Sequence, residues 1–366
     1  MSDASRQQLE ARAPQWDEKE RIWLVTRYAD ATQVLKNTDI AIVEVSAQIG
    51  RLSARMGGEF DNIILLLGHS HPFQNTPVHE PIRNALMAFV NDVQHRWTVE
   101  RLDALAGELL APLADGRAHD VIPALARRIP TTIISDALGL APDDIERCGT
   151  WVRELSSIWH RPAHALRELR ALEETATNIV ELLSARLGGE PRETFARIAF
   201  LAMAGVDTTT GLFGSALNHL ARHLPLQQRL RHEPMLIPGF VNEALRCWPP
   251  LRRIIGRKAL RDITLDGATI PAGAYIAIDL ECAQRDPDAY AEPDRFDPAR
   301  KSPPTLSFGA GPHTCAGVAL ARLESRVLIE RLVRDFALHP AGEARPTDSP
   351  DWAGFDSLPL RLERRG

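Results

Sequence analysis

One cysteine and the loop around it constrain this chain more than any other feature. Residues 307–317 read Ser-Phe-Gly-Ala-Gly-Pro-His-Thr-Cys-Ala-Gly, and they run directly into the periodic apolar series Val318, Ala321, Leu323, Val327, Leu328, Leu332. Gly309 and Gly311 lack Cβ atoms, so the loop can take positive φ and lie flat against a large planar ligand. The periodicity predicts a helix beginning at or just after Ala316, which places Cys315 at a helix N-terminus. Free amide N–H groups and the positive end of the macrodipole there stabilise a thiolate, the form that binds a metal. A cysteine taken alone is more often a small buried hydrophobe.

The remaining cysteines, Cys148, Cys247 and Cys282, are too widely spaced for a CxxC motif, and four are too few for a disulfide framework. That usage fits a reducing cytoplasm. Of the 366 residues 44% are hydrophobic and 25% charged, which suits a globular chain with an extensive core. A formal charge of −5 without basic blocks gives no footprint for nucleic acid. Met1 to Lys19 is polar, with no apolar stretch long enough for a signal peptide or membrane anchor, so no membrane association is expected.

Three further constellations carry chemistry. His79 and Arg83 stand at i and i+4, where one helix face presents two potential cations able to clamp a carboxylate; exposed surface residues are the commoner case. Ala204-Gly-Val-Asp-Thr-Thr-Thr210 puts a glycine and three successive β-branched residues, Thr208 to Thr210, inside a long apolar helix pattern, Arg192 to Arg222, at a cost of roughly 2 kcal/mol of helix propensity. A local defect is expected there, with the Thr208 hydroxyl bonding back to the Ala204 carbonyl and opening a groove; a tolerated kink with Asp207 in a salt bridge reads equally well. Glu243 and Arg246 stand at i and i+3, by default a surface ion pair worth under about 1 kcal/mol.

Together these residues resemble the bacterial cytochrome P450 monooxygenases. Phe308-Gly-Ala-Gly-Pro-His313-Thr-Cys315-Ala-Gly317 is similar to that family's haem-ligand loop, and the resemblance implies that Cys315 is the proximal iron ligand, with Phe308, Gly309, His313 and Gly317 binding the cofactor around it. Asn75-Thr-Pro-Val-His79-Glu-Pro-Ile-Arg83 is similar to the segment that binds the haem propionates, although Asn75-Thr76 replaces Asp-Pro and Pro81 implies a helix start close to Glu80. Arg257 matches a strand arginine that contacts a propionate. Asp207 and Thr208 match the acid and alcohol that deliver protons during oxygen activation, and Glu243-x-x-Arg246 matches a buried structural pair.

What the resemblance implies is one catalytic domain over 1–366, mainly α with small β-sheets near 20–30, 251–280 and the C-terminus. The cofactor would be haem b and the co-substrate O2, with one oxygen atom inserted into a small organic molecule. The chain has no GxGxxG or flavin segment, so electrons would come from a separate ferredoxin or flavoprotein. Arg322 and Arg326 are equally well a docking face or an ordinary solvated one. A haem-thiolate peroxygenase or non-oxygenase, or a non-catalytic haem sensor, are the alternatives.

Local patterning completes the expectation. A short helix is expected at Gln7 to Arg12, a strand at Ile22 to Val25 and a helix at Asp30 to Leu35. From Ile40 to Gly68 weak periodicity and Gly57-Gly58 predict a mobile connection. Asn84 to Leu187 reads as helical with breaks at Asp115-Gly116, Pro130 and Ala141-Pro142. The family's longer stretch before the next motif is reduced here to Gly188-Gly-Glu-Pro191, which implies a smaller cover over the site. Leu251 to Leu260, Ile263 to Gly267 and Ala274 to Ile278 read as strands, and Trp352, Phe355, Arg253 and Ile254 are expected at the substrate pocket by analogy.

Overall fold

The structure, a computed structural model, describes residues 13–70, 72, 74–156, 158 and 165–365. The helix expected at Gln7 to Arg12 lies outside the described residues. In chain order the helices are α1 Tyr28–Lys36, α2 Val45–Met56, α3 Asp61–Gly68, α4 His79–Arg96, α5 Val99–Leu110, α6 Arg128–Leu138 and α7 Pro142–Ser156. They continue with α8 Leu166–Arg186, α9 Arg192–Ala204, α10 Asp207–Arg222, α11 Leu224–His232, α12 Ile237–Cys247, α13 Leu280–Ala283 and α14 Val318–Asp335.

The main sheet has strands β1 Gln15–Asp17, β2 Ile22–Val25, β3 Ile40–Ile42, β5 Arg253–Ala259 and β8 Tyr275–Asp279, in the order β1-β2-β8-β5-β3. β2 runs parallel to β8, and the other pairs are antiparallel. The β5–β8 register shifts between Ile254 and Arg257, and after that irregularity Arg257 pairs with Ile276 on one side and Ile42 on the other. An irregularity of this kind re-aims the residues after it. Here it puts an arginine in the middle of the sheet. In the smaller sheets β6 Ile263–Leu265 pairs with β7 Ala268–Ile270, β10 Arg345–Pro346 pairs with β11 Phe355–Ser357, and β4 Ala118–Asp120, β12 Pro359–Arg364 and β9 Phe336–Pro340 lie side by side in that order.

Apolar faces explain the packing. Phe213 and Leu217 of α10, Phe240 and Ala244 of α12, and Leu328 and Leu332 of α14 meet in one core. A second core joins Ile63 of α3, Ile145 of α7, Ile179 of α8 and Ala202 of α9. The run Arg192–Arg222 is long and apolar enough to cross a membrane by length and composition, but most of it is buried inside the protein.

Two local expectations are corrected. Ile40 to Gly68 is not a loose connection: it holds β3, α2 and α3, whose buried side chains Ile49, Ile63, Leu66 and Leu67 enter the second core, and Gly57-Gly58 is simply the stop between two helices. Pro130 does not break the chain, because it sits at the third position of α6, where its missing N–H has no intrahelical partner to lose. Helix α4 starts at His79, close to Glu80 as expected, and tolerates Pro81 for the same reason.

Candidate functional site

The cysteine loop is held from three sides. Ser307 Oγ donates to the Leu245 carbonyl of α12 at 2.7 Å. The Gln284 amide nitrogen donates to Ser307 Oγ at 3.0 Å, while its oxygen accepts the Leu306 N–H at 2.8 Å. Gly309 and Gly311 take φ +68° and +72°, as their place in the loop requires, and a Cβ on Gly311 would stand 2.5 Å from the Leu35 carbonyl oxygen of α1. No other residue fits there without moving backbone.

Within this frame the Cys315 N–H donates to the Phe308 carbonyl at 2.8 Å, and the Gly317 N–H donates to Cys315 Sγ at 3.3 Å. Helix α14 begins at Val318 with Gly317 as its cap, so Cys315 lies two residues ahead of the cap rather than on it. The glycine cap amide reaches the sulfur; the rest of the helix end is farther away. All four cysteines are described, and Cys315 alone is exposed; Cys148, Cys247 and Cys282 are buried. Burial of the sulfur by surrounding protein nonetheless raises the Cys315 pKa, opposed by the Gly317 N–H and the Arg83 charge. A bound metal's own charge would favour the thiolate.

Cationic and imidazole groups converge beside the thiol. Arg83 donates from Nη1 to the Thr314 carbonyl at 2.8 Å. The His79 and His313 rings lie 4.1 Å apart between centroids. Burial, then Arg83 and Arg257, hold the His79 pKa down against the opposing pull of Glu80. Arg257 is only 9% exposed and has neither a hydrogen-bond acceptor nor a carboxylate partner for its side chain among the described residues. Burial alone lowers its pKa to about 10. A buried cation without an anion is costly. A ligand bearing carboxylates would balance it, and a haem, which carries carboxylates and an iron able to take a thiolate, fits these donors.

On the other side, the long helix breaks where expected. α9 ends at Ala204, α10 begins at Asp207, and Thr208 Oγ1 donates to the Ala204 carbonyl at 2.7 Å. Gly205 is needed for packing, since a Cβ there would fall 2.6 Å from Ile134 Cδ1. The salt bridge expected of Asp207 as one of two readings is present, with partners that the residue spacing does not indicate: Arg127 Nη2 donates to Oδ1 at 3.0 Å and Arg153 Nη1 donates to Oδ2. These arginines come from the turn before α6 and from the last turn of α7, far away in sequence and without a spacing signal.

Asp207, Thr210 and Gly211, one face of α10, border a cavity of about 1670 Å³. Thr208, Arg257 and Cys315 do not line it. Trp352 and Phe355 do, as expected, whereas Arg253 and Ile254 do not; Ile255 and Gly256 take their place. Arg253 is drawn off into an ion pair with Glu20 at 3.1 Å.

Glu243 and Arg246 form a buried pair, not a surface one. Nε to Oε1 is 2.7 Å and Nη2 to Oε2 is 2.9 Å, while Arg300 Nε adds a third partner to Glu243 at 3.2 Å. Arg246 also donates to the carbonyls of Gln284 and Pro293, tying α12 to the segment leading into the cysteine loop. Arg322, a candidate for the docking face, stacks its guanidinium over the Phe308 ring at 5.3 Å, and Arg326 pairs with Glu330 at 3.3 Å.

Comparison with known proteins agrees with this geometry. The family model described as Cytochrome P450 matches residues 189–363. Erythromycin C-12 hydroxylase of Saccharopolyspora erythraea is 29% identical over 353 residues, 90% of this chain and 85% of that protein. The crystal structure of CalO2 superposes with a TM-score of 0.82 at 23% identity, covering 99% of this chain and 96% of that one, which shows the shared fold. Cytochrome P450 monooxygenase PikC of Streptomyces venezuelae is 30% identical over 389 residues, 96% of this chain and 87% of its own. Identity at that level over nearly the whole of both chains shows that this protein belongs to the cytochrome P450 family.

Proposed function

We propose that Cys315 is the thiolate ligand of the haem, that His79, Arg83, Arg257 and His313 hold its propionates, and that Phe308, Gly309 and Gly317 line its proximal face. The reaction class and cofactor come with the family: a monooxygenase acting on a small organic substrate with haem b and O2. Bound haem iron supplies the activation of O2, one atom going to substrate and the other to water. The observation that carries the site assignment is the buried Arg257, without a side-chain partner among the described residues, which acts on His79 together with Arg83, while Arg83 is bonded to Thr314 next to the exposed Cys315.

The chain's own residues do the rest. The Gly317 N–H bond to Sγ and the nearby Arg83 charge offset the cysteine's negative charge and tune how strongly it donates. Thr208 spends its proton on the Ala204 carbonyl, so its oxygen lone pairs remain to accept a hydrogen bond in the groove. Asp207 borders the cavity, and release from one arginine would let it carry protons toward Thr208. Electrons come from a separate ferredoxin or flavoprotein, all 366 residues act as one catalytic domain, and the protein works in the cytoplasm. The cavity's volume admits a substrate larger than a single ring.

The test is coupled turnover with a ferredoxin and its reductase, measuring product, peroxide and oxygen uptake together. Thr208→Ala should still consume reduced cofactor but divert electrons to peroxide, and Asp207→Asn should slow oxygen uptake itself. Wild-type coupling and rate in both variants would reduce the pair to a kink in a helix.

A further inference from the structure

We infer that Arg127 and Arg153 form an anion subsite in the cavity and that the substrate is amphiphilic, carrying a carboxylate or similar anionic group that docks on them. The inference rests on reading the cavity as the substrate chamber. Both arginines line it, and both are bound to the same carboxylate, Asp207. Two guanidinium groups against one carboxylate leave one positive charge unbalanced. Neither arginine has another carboxylate partner among the described residues.

Donors remain as well as charge. Arg153 uses Nη1 on Asp207 and Nη2 on Thr150 Oγ1 at 2.9 Å. Arg127 uses only Nη2, which leaves its Nη1 and Nε without protein acceptors among the described residues. The two side chains are 27% and 31% exposed, so water screens them incompletely and an arriving anion gains more than it would at the surface. A bidentate carboxylate matches the guanidinium fork.

Four other carboxylates line the cavity, Glu20, Glu168, Asp351 and Asp356, and each has a partner of its own. Glu20 is paired with Arg253, Glu168 accepts the Ala165 N–H at 3.2 Å, and Asp356 accepts the Thr347 hydroxyl at 2.9 Å. Lys19 and Arg21 also line the cavity but are exposed, where water weakens their hold on an anion. Between the charged groups the wall is apolar, with Ile49, Ile122, Leu169, Leu172, Trp352 and Phe355. A ligand with an anionic head and an apolar body satisfies both parts of this lining.

The experiment is isothermal titration of the haem-loaded protein with sodium dodecanoate and with 1-dodecanol, which has the same chain and no charge. The carboxylate should bind at least about tenfold more tightly, equivalent to about 1.4 kcal/mol. Arg127→Gln and Arg153→Gln should each remove most of that preference, Arg127→Lys should keep part of it, and Lys19→Gln with Arg21→Gln should leave it intact. Asp207→Asn should tighten dodecanoate binding, because it removes the competing carboxylate, and a merely structural clamp would not produce that change. Thermal unfolding and the ferric spectrum establish that each variant is folded and loaded. Equal affinity for acid and alcohol, binding of neither, or a preference lost only with Lys19 and Arg21 overturns the inference. Because binding is read without turnover, a failure of the monooxygenase assignment would show separately, as absence of oxygen-dependent product.

Discussion

Arg83 donates to the backbone carbonyl of Thr314, so the helix bearing His79 is fastened to the residue immediately before Cys315. The contact makes one unit of the cysteine loop and the group of cations beside it. Removing a charge-assisted hydrogen bond typically costs about 1.5–3 kcal/mol. Arg83→Ala and Arg257→Ala should therefore each raise the rate of haem transfer to excess apomyoglobin by roughly tenfold to a hundredfold, and His313→Ala by less. Unchanged transfer rates in all three would contradict the propionate assignment.

Glu243 and Arg246 test the frame rather than the chemistry. Breaking a buried ion pair by removing one partner strands the other, at about 3–5 kcal/mol. Arg246→Ala leaves Glu243 with Arg300 and the Asp297 N–H, and also strips the Gln284 and Pro293 carbonyls of a donor. Thermal melts of the folded fraction should show a loss of that size, with haem retention falling alongside it. A near-neutral variant would mean that Arg300 and the Asp297 N–H suffice.

Glu324 gives a pH dependence. It is buried on α14 with one carboxyl oxygen lacking a hydrogen-bond partner, and burial pushes its pKa up to about 8. The folded state thus holds a proton that the unfolded chain releases near the ordinary glutamate range. Its contribution is favourable below that range and is lost as pH rises toward 8, by about 1.4 kcal/mol per pH unit. Glu324→Gln should flatten the fall in stability between the ordinary glutamate range and about pH 8, which denaturant unfolding across pH 5 to 9 would reveal. Identical slopes in both proteins would show that the carboxyl is neutralised by other means.

The parts of this fold legible in the sequence were those where local chemistry leaves few choices. The glycines around Cys315 and the back-bond from Thr208 to Ala204 are of this kind, because the conformations follow from neighbours within a few residues. The helices α2 and α3 do not show in the local pattern because their apolar positions serve a core shared with α7 to α9, far along the chain. The burial of Arg257 depends on strands β3 and β8 flanking β5, and the clamp on Asp207 depends on two helices with no sequence relation to it. Ion pairs between distant elements leave no spacing pattern to read. Helix α14 starts at Val318, just after Ala316, because the apolar periodicity itself begins there and Gly317 caps it.

Ligation by Cys315 is the claim on which the rest depends. The direct measurement is the absorption spectrum of the haem-loaded protein reduced in the presence of carbon monoxide, for wild type and for Cys315→Ala. The wild-type protein should show the strongly red-shifted Soret band that marks a thiolate ligand, and the variant should lose it while retaining its fold by circular dichroism. A red-shifted band that persists in Cys315→Ala would place the iron on another residue and contradict the assignment.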